Sequence, residues 1–251
     1  MNIGLYQSAS SLSALERWQD VTAQNITASQ VTGYRKRTVE FSGISMGEVQ
    51  VDPAKGRIGN GEGPQSIFPK ATYGINFQKG ENHPTGRSLD LAIEGDGYFQ
   101  VKLPDDAGFA YTRDGSFRIT PERTLVSGNG YEVLNQDGEP ITLLPGGGEL
   151  VIGMDGTLMQ GTNPLGKLAV QSFAKSEDLT AVAGGLFVAR EGVDPAAVEK
   201  PVVMQGYLEG SNVTPLREMI ALVQIARAYE ANQKIITTQD QTLARALETL
   251  G

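Results

Sequence analysis

The chain has 251 residues, with 21 Lys and Arg against 29 Asp and Glu, a net charge of −8, one histidine and no cysteine. These counts exclude disulfides, thiolate metal sites, cysteine nucleophiles and any two-histidine metal site, and they argue against a general basic footprint for nucleic acid. At 39% hydrophobic residues the chain is apolar enough to build a core, yet no apolar run reaches the roughly 18 residues of a transmembrane helix.

The first twenty residues lack a basic leader and an apolar core, so no cleaved signal is expected there. From Leu5 to Thr32 there is no Gly and no Pro. Leu5, Ala9, Leu12, Leu15 and Trp18 recur three or four residues apart, and Ile26 prolongs the row, which predicts a helix with one apolar stripe. Thr32-Gly33 reads as its stop. Arg35-Lys36-Arg37 follows as the one basic triad and is expected to be a solvated flank.

Residues 34–80 are rich in Gly and β-formers and are expected to be extended linking strands. From 81 to 210 the pattern is that of an all-β domain. Asp96-Gly97, Asp114-Gly115, Asp137-Gly138 and Asp155-Gly156 are hairpin-type turn signals, and strand-like stretches such as Tyr98–Leu103, Tyr131–Leu134 and Leu168–Phe173 lie between them. All but two of the 31 glycines, Gly4 and Gly251, lie between Gly33 and Gly210. From Ser211 to Leu250 the chain is again free of glycine. Thr214-Pro215 reads as N-cap and first helical residue, and Leu216, Met219, Ile220, Val223 and Ala226 begin a stripe that resumes at Ile236, Leu243, Leu247 and Leu250.

Charge is uneven: residues 1–40 carry net +1, 41–210 net −9 and 211–251 net 0. A helix with a single apolar stripe is marginal alone in water, so each end needs a partner. The two ends can pair within one chain, pair with ends of other chains, or pack on the β domain.

Motifs for chemistry are weak. Gly161 to Lys167 has phosphate-loop spacing, but Leu168 stands where Ser or Thr is needed and a strand follows, so a turn is expected. Gly59 to Gly63 and Gly146 to Gly148 also lack a strand–turn–helix context. Asp90, Glu94, Asp96, Asp105 and Asp106 sit beside turns and read as solvated acids, and His83 as a surface residue. Two other classes stay open: a β-rich module binding cell-wall glycan, and a wall enzyme using Asp90, Glu94 or Asp96.

Three ordered blocks carry a resemblance. They are Asn25 to Arg35; Ser88 to Phe99 with Ala110 to Phe117 and Leu125-Val126; and Gln205 to Val213 with Arg227 to Lys234. Together they resemble the bacterial flagellar basal-body rod protein family, within the rod and hook axial proteins. The first block departs from the family pattern at Thr27 and Ala28. The stretches Gly166 to Phe173 and Gly184 to Phe187 are most like the proximal-rod F branch, with the distal-rod and hook branches next.

The resemblance implies a mainly β central domain with long N- and C-terminal α-helices that pair as a coiled coil. It places a helical inner-tube domain at 1–33 and 211–251, linking strands at 34–80 and the β domain at 81–210. It implies a structural, non-enzymatic subunit of the periplasm-spanning rod, without cofactor, metal or small-molecule substrate. Its partners would be other rod proteins, copies of itself among them, and the flagellar type III export apparatus, with no cleaved signal peptide. The subunit-interface residues expected on this basis are Leu5, Leu12, Leu15, Asn25, Ile26, Asn212, Leu216, Ile220, Val223, Tyr229, Asn232, Ile236, Leu243 and Leu247.

Overall fold

The structure is a computed structural model that describes residues 3–46, 66–104 and 108–250. Asp105, Asp106 and the Gly59 to Gly63 loop lie outside the described residues, as do the side chains of Leu5, Leu243 and Leu247. The chain divides into two compact units. One comprises 1–27, 37–74 and 214–251, the other 28–36 and 75–213.

The first unit is helical with a strand pair. Helix α1 spans Ile3–Thr27 and α2 spans Pro215–Leu250. Strands β1 (Arg37–Met46) and β2 (Ser66–Ile75) pair with each other. The α2 start follows from local chemistry. Pro215 cannot donate, which costs nothing at the first helical position, and the Thr214 carbonyl accepts from the amides of Arg217 and Glu218. Glu218 in the first turn complements the helix dipole. Helix α1 packs against α2 and against β1, where Trp18 meets Phe41 edge-on with ring centroids 5.6 Å apart.

The second unit is β-rich. A single 3₁₀ turn at Ala28–Gln30 leads in. The strands in chain order are β3 (Asn82–Pro84), β4 (Leu91–Glu94), β5 (Tyr98–Lys102), β6 (Phe109–Thr112), β7 (Arg118–Ile119), β8 (Leu125–Val126), β9 (Glu132–Val133), β10 (Leu150–Ile152) and β11 (Thr157–Gln160). They continue as β12 (Asn163–Lys167), β13 (Val170–Ser172), β14 (Leu179–Ala181), β15 (Leu186–Ala189), β16 (Ala196–Ala197), β17 (Val202–Gln205) and β18 (Tyr207–Glu209). The main sheet runs β14-β15-β6-β5-β9-β8-β7, with β13 also on β5 and β16 on β13. Strands β10-β11-β12 form a second sheet, and the pairs β17-β4 and β18-β3 stand beside them. All these pairings are antiparallel.

The central strands are buried on both faces, so successive side chains feed two clusters. Leu91, Phe99, Val101, Leu125, Leu158 and Leu168 are fully buried in one cluster, where Phe99 meets Phe117 at 5.1 Å. A second cluster gathers Tyr98, Tyr111, Leu179 and Phe187, flanked by Phe77 and Phe173. Of the four Asp-Gly signals, Asp155-Gly156 joins β10 to β11, and Asp137-Gly138 closes the Leu134–Pro140 bridge. The other two connect strands that do not pair with each other. At Asp114-Gly115 the reason is steric. The Leu91 carbonyl approaches Gly115 so closely that no side chain fits, while the Asp114 carboxylate accepts from the Ser116 amide. The Gly161 to Lys167 stretch is the turn and outer strand of the β11-β12 hairpin.

Candidate assembly surface

Helix α2 has two different faces. Glu218 and Ile225 are buried, and Ala221, Leu222, Ala228, Tyr229, Asn232, Ile236 and Gln239 are half-buried. At 3.6 residues per turn these residues share one side of the helix. On α1 the matching inward residues are Ser8, Ala14, Val21, Thr22 and Asn25, all buried, with Leu12, Leu15, Trp18 and Ile26 half-buried. On the opposite side of α2 stand Leu216, Met219, Ile220 and Val223, with fractional exposures of 68, 51, 52 and 54%. The sequence reading joined these residues to Ile236 in one stripe. The structure separates them, because the spacing from Val223 to Ile236 carries the row half-way round the helix.

Asn25 fixes the meeting point of the unit's segments. Its side-chain oxygen accepts from the Arg37 amide at 2.9 Å. Its amide nitrogen donates to the Arg37 carbonyl at 2.8 Å and to Glu218 Oε2 at 3.2 Å. One buried side chain thus ties the end of α1, the start of β1 and the first turn of α2. A buried polar group fully supplied with partners specifies one arrangement, because a slipped register would strand it.

Two family models match the chain: the flagellar hook protein FlgE/F/G D1 domain over residues 92–160, and the flagellar basal body rod FlgEFG protein C-terminal model over 204–249. Full-length relatives include the flagellar basal-body rod protein FlgF of Rhizobium meliloti, 34% identical over 100% of this chain and 99% of its own length. FlgF of Caulobacter vibrioides is 32% identical, with the same two coverages. The rod protein FlgG of Bacillus subtilis is 31% identical over 95% of this chain and 96% of its own. The chain belongs to the flagellar basal-body rod protein family.

The family's C-terminal segment begins in β17 and continues through β18 into α2, so it contains the outward apolar face. The D1 match covers β4 to β11. The remaining expected interface residues fall in several environments. Tyr229, Asn232 and Ile236 lie on the inward side of α2, and the Asn232 side chain donates to the Ala228 carbonyl of its own helix. Asn212, in the β unit, donates to the carbonyls of Asn76 and Gln78 and accepts from the Lys36 amide.

Two polar residues are placed differently from the sequence reading. Asp90 is buried rather than solvated, with Arg87 Nε donating to its carboxylate at 2.8 Å, while Glu94 and Asp96 are exposed as expected. His83 is exposed, as expected, and lies in strand β3. Arg35 is buried too, not a solvated flank. Its Nη1 lies 2.6 Å from Glu209 Oε1, and Arg113 Nη1 lies 3.0 Å from Glu209 Oε2. Arg113 also donates to the carbonyls of Ile93 and Gly95 and stands 5.2 Å from the centre of the Tyr98 ring. Burial holds the Arg113 guanidinium below its usual value, while Glu209 pulls it back up. Burial likewise pushes the Tyr98 phenol up, against the opposing pull of Arg35 and Arg113. No local pattern announces this cluster. Its only trace in sequence is that Arg35, Arg113 and Glu209 each fall inside one of the three family-like blocks.

Proposed function

We propose that the chain is a structural subunit of the bacterial flagellar basal-body rod, assembling with other rod proteins into the shaft. The observation that carries this is similarity over the whole length to curated rod proteins, including both terminal helices. In this reading α1 and α2 pair as a coiled coil. Glu218, Ile225, Asn232 and Gln239 recur every seven residues, and Leu222, Tyr229 and Ile236 form the second series, the spacing such packing requires. The outward residues Leu216, Met219, Ile220 and Val223 then meet neighbouring subunits. Repetition of one heterologous contact builds a tube rather than a closed dimer.

The role is mechanical and needs no reactive group. The subunit reaches the basal body through the flagellar type III export apparatus. The test is complementation of a strain lacking its own copy of the gene. The unaltered chain restores complete rods, seen by electron microscopy of purified basal bodies, and swimming. Complete rods and full swimming without any copy of the chain sink the proposal.

A further inference from the structure

The chain passes between its two units four times, at 27/28, 36/37, 74/75 and 213/214. On the β-unit side these passages end in three segments that are irregular apart from the 3₁₀ turn at Ala28–Gln30: 28–36, the stretch from Asn76 to Glu81, and the stretch from Gly210 to Val213, which leaves β18 at Glu209. Irregular backbone offers no ladder partners, so its buried polar groups must be met individually.

The three segments meet one another. The Gly33 amide donates to the Glu209 carbonyl at 2.8 Å, and the Asn212 amide to the Tyr34 carbonyl at 3.3 Å. The Lys36 amide donates to Asn212 Oδ1 at 2.6 Å, and the Asn76 amide to the Lys36 carbonyl at 2.8 Å. The Gly80 amide donates to Glu209 Oε1 at 2.9 Å, and the Gly210 amide to the Glu81 carbonyl at 2.8 Å. Glu209 thus receives the first two segments, by its carbonyl and its carboxylate, while β18 passes through it into the third. Arg35 and Arg113 hold the same carboxylate, and Arg113 ties it to β4 and its turn through Ile93 and Gly95. Packing leaves no slack. A Cβ on Gly33 would come within 2.5 Å of the Arg113 carbonyl carbon, and one on Gly80 would overlap the Gly210 carbonyl oxygen.

We infer that Arg35, Glu209 and Arg113 form a clasp that makes the three segments open as one unit. A buried ion cluster is a poor source of raw stability, since desolvating the charges offsets much of their attraction. What it supplies here is connectivity. One carboxylate with two oxygens reaches two guanidinium groups and a backbone amide at once, which an apolar side chain cannot do. If the chain is a rod subunit, as proposed above, torque crosses these four passages, and the clasp shares it among them.

The test is native-state hydrogen exchange by mass spectrometry on the full chain, comparing the unaltered protein with Glu209→Gln and Arg35→Gln. Glu209→Gln removes the charge and keeps the shape. The clasp predicts that peptides covering 31–37, 75–81 and 209–213 all exchange faster together, by about tenfold or more, while peptides covering β5 keep their protection. Arg35→Gln gives the same joint change, including at 75–81, which Arg35 reaches through Glu209. Faster exchange at one segment alone, or none at any, overturns the inference. So does loss of protection across the whole β unit in both variants, which would make the triad an ordinary member of the core. Swimming of Glu209→Gln cells in viscous medium, with rods counted separately, addresses the torque clause. Slower swimming on intact rods supports it and undiminished swimming refutes it, while a strain that swims without the chain refutes the rod reading and leaves the exchange result standing.

Discussion

Replacing Ile220 and Val223 together by Asp separates folding from assembly. Both side chains are about half exposed, on the side of α2 turned away from α1. Full burial of such a side chain is worth about 1.5–3 kcal/mol, so covering the exposed half gains about 1 kcal/mol each. The four outward residues together contribute about 4 kcal/mol per subunit contact on that scale. The double substitution removes about half of this and sets two carboxylates against apolar surface. A loss of 2 kcal/mol alone weakens association by about 30-fold, and desolvating the charges adds to it. The isolated chain feels little, because exposed substitutions usually shift stability by about 0.5 kcal/mol each. Urea unfolding followed by circular dichroism reads the first quantity, and the amount of chain in purified basal bodies reads the second. Normal incorporation of the variant refutes the role given to this face. Destabilisation of the lone chain by more than about 2 kcal/mol also refutes it, by showing that the face is needed for folding.

Three other outcomes are expected. Asn25→Ala removes three hydrogen bonds that join α1, β1 and α2, and should lower the stability of the helical unit by about 1–3 kcal/mol in urea titration; an unchanged midpoint contradicts the tie between these segments assigned to Asn25. Gly33→Ala forces a residue with φ of 66° and no room for its Cβ, so the β unit should lose at least about 1–3 kcal/mol in a thermal melt, and an unshifted melt counts against the close packing at Arg113. Burial raises the Tyr98 phenol above the value near pH 10 that it has in the unfolded chain, so its contribution is intact below that pH and is lost as pH rises through the folded value. Unfolding midpoints at pH 9 and pH 11 should therefore fall less in Tyr98→Phe than in the unaltered chain, and equal falls would deny burial as the cause.

Much of the architecture is legible in the residues. The absence of Gly between Leu5 and Thr32 and again between Ser211 and Leu250 marks both helices, and Thr214-Pro215 marks the start of α2 because its chemistry is local. The turn-rich middle reads as β for the same reason. What escapes is whatever depends on distant chain. Periodicity shows that Leu216, Ile220 and Ile236 are apolar on a helix, but not which side meets α1, since α2 has apolar residues on both. Arg35 in a run of three bases reads as solvated because its partner, Glu209, comes from a strand far along the chain. Asp90 beside a turn misleads similarly, since Arg87 shields it only once the strand is folded.

The most direct test places a photo-crosslinking residue at position 220 or at position 225 in cells that depend on the altered chain for swimming. Ile220 is 52% exposed and Ile225 is 1% exposed, less than two helical turns apart. Position 220 is expected to give adducts with other rod subunits in purified basal bodies, while position 225 gives only adducts within the chain. Adducts between subunits from position 225, with none from position 220, would contradict that expectation.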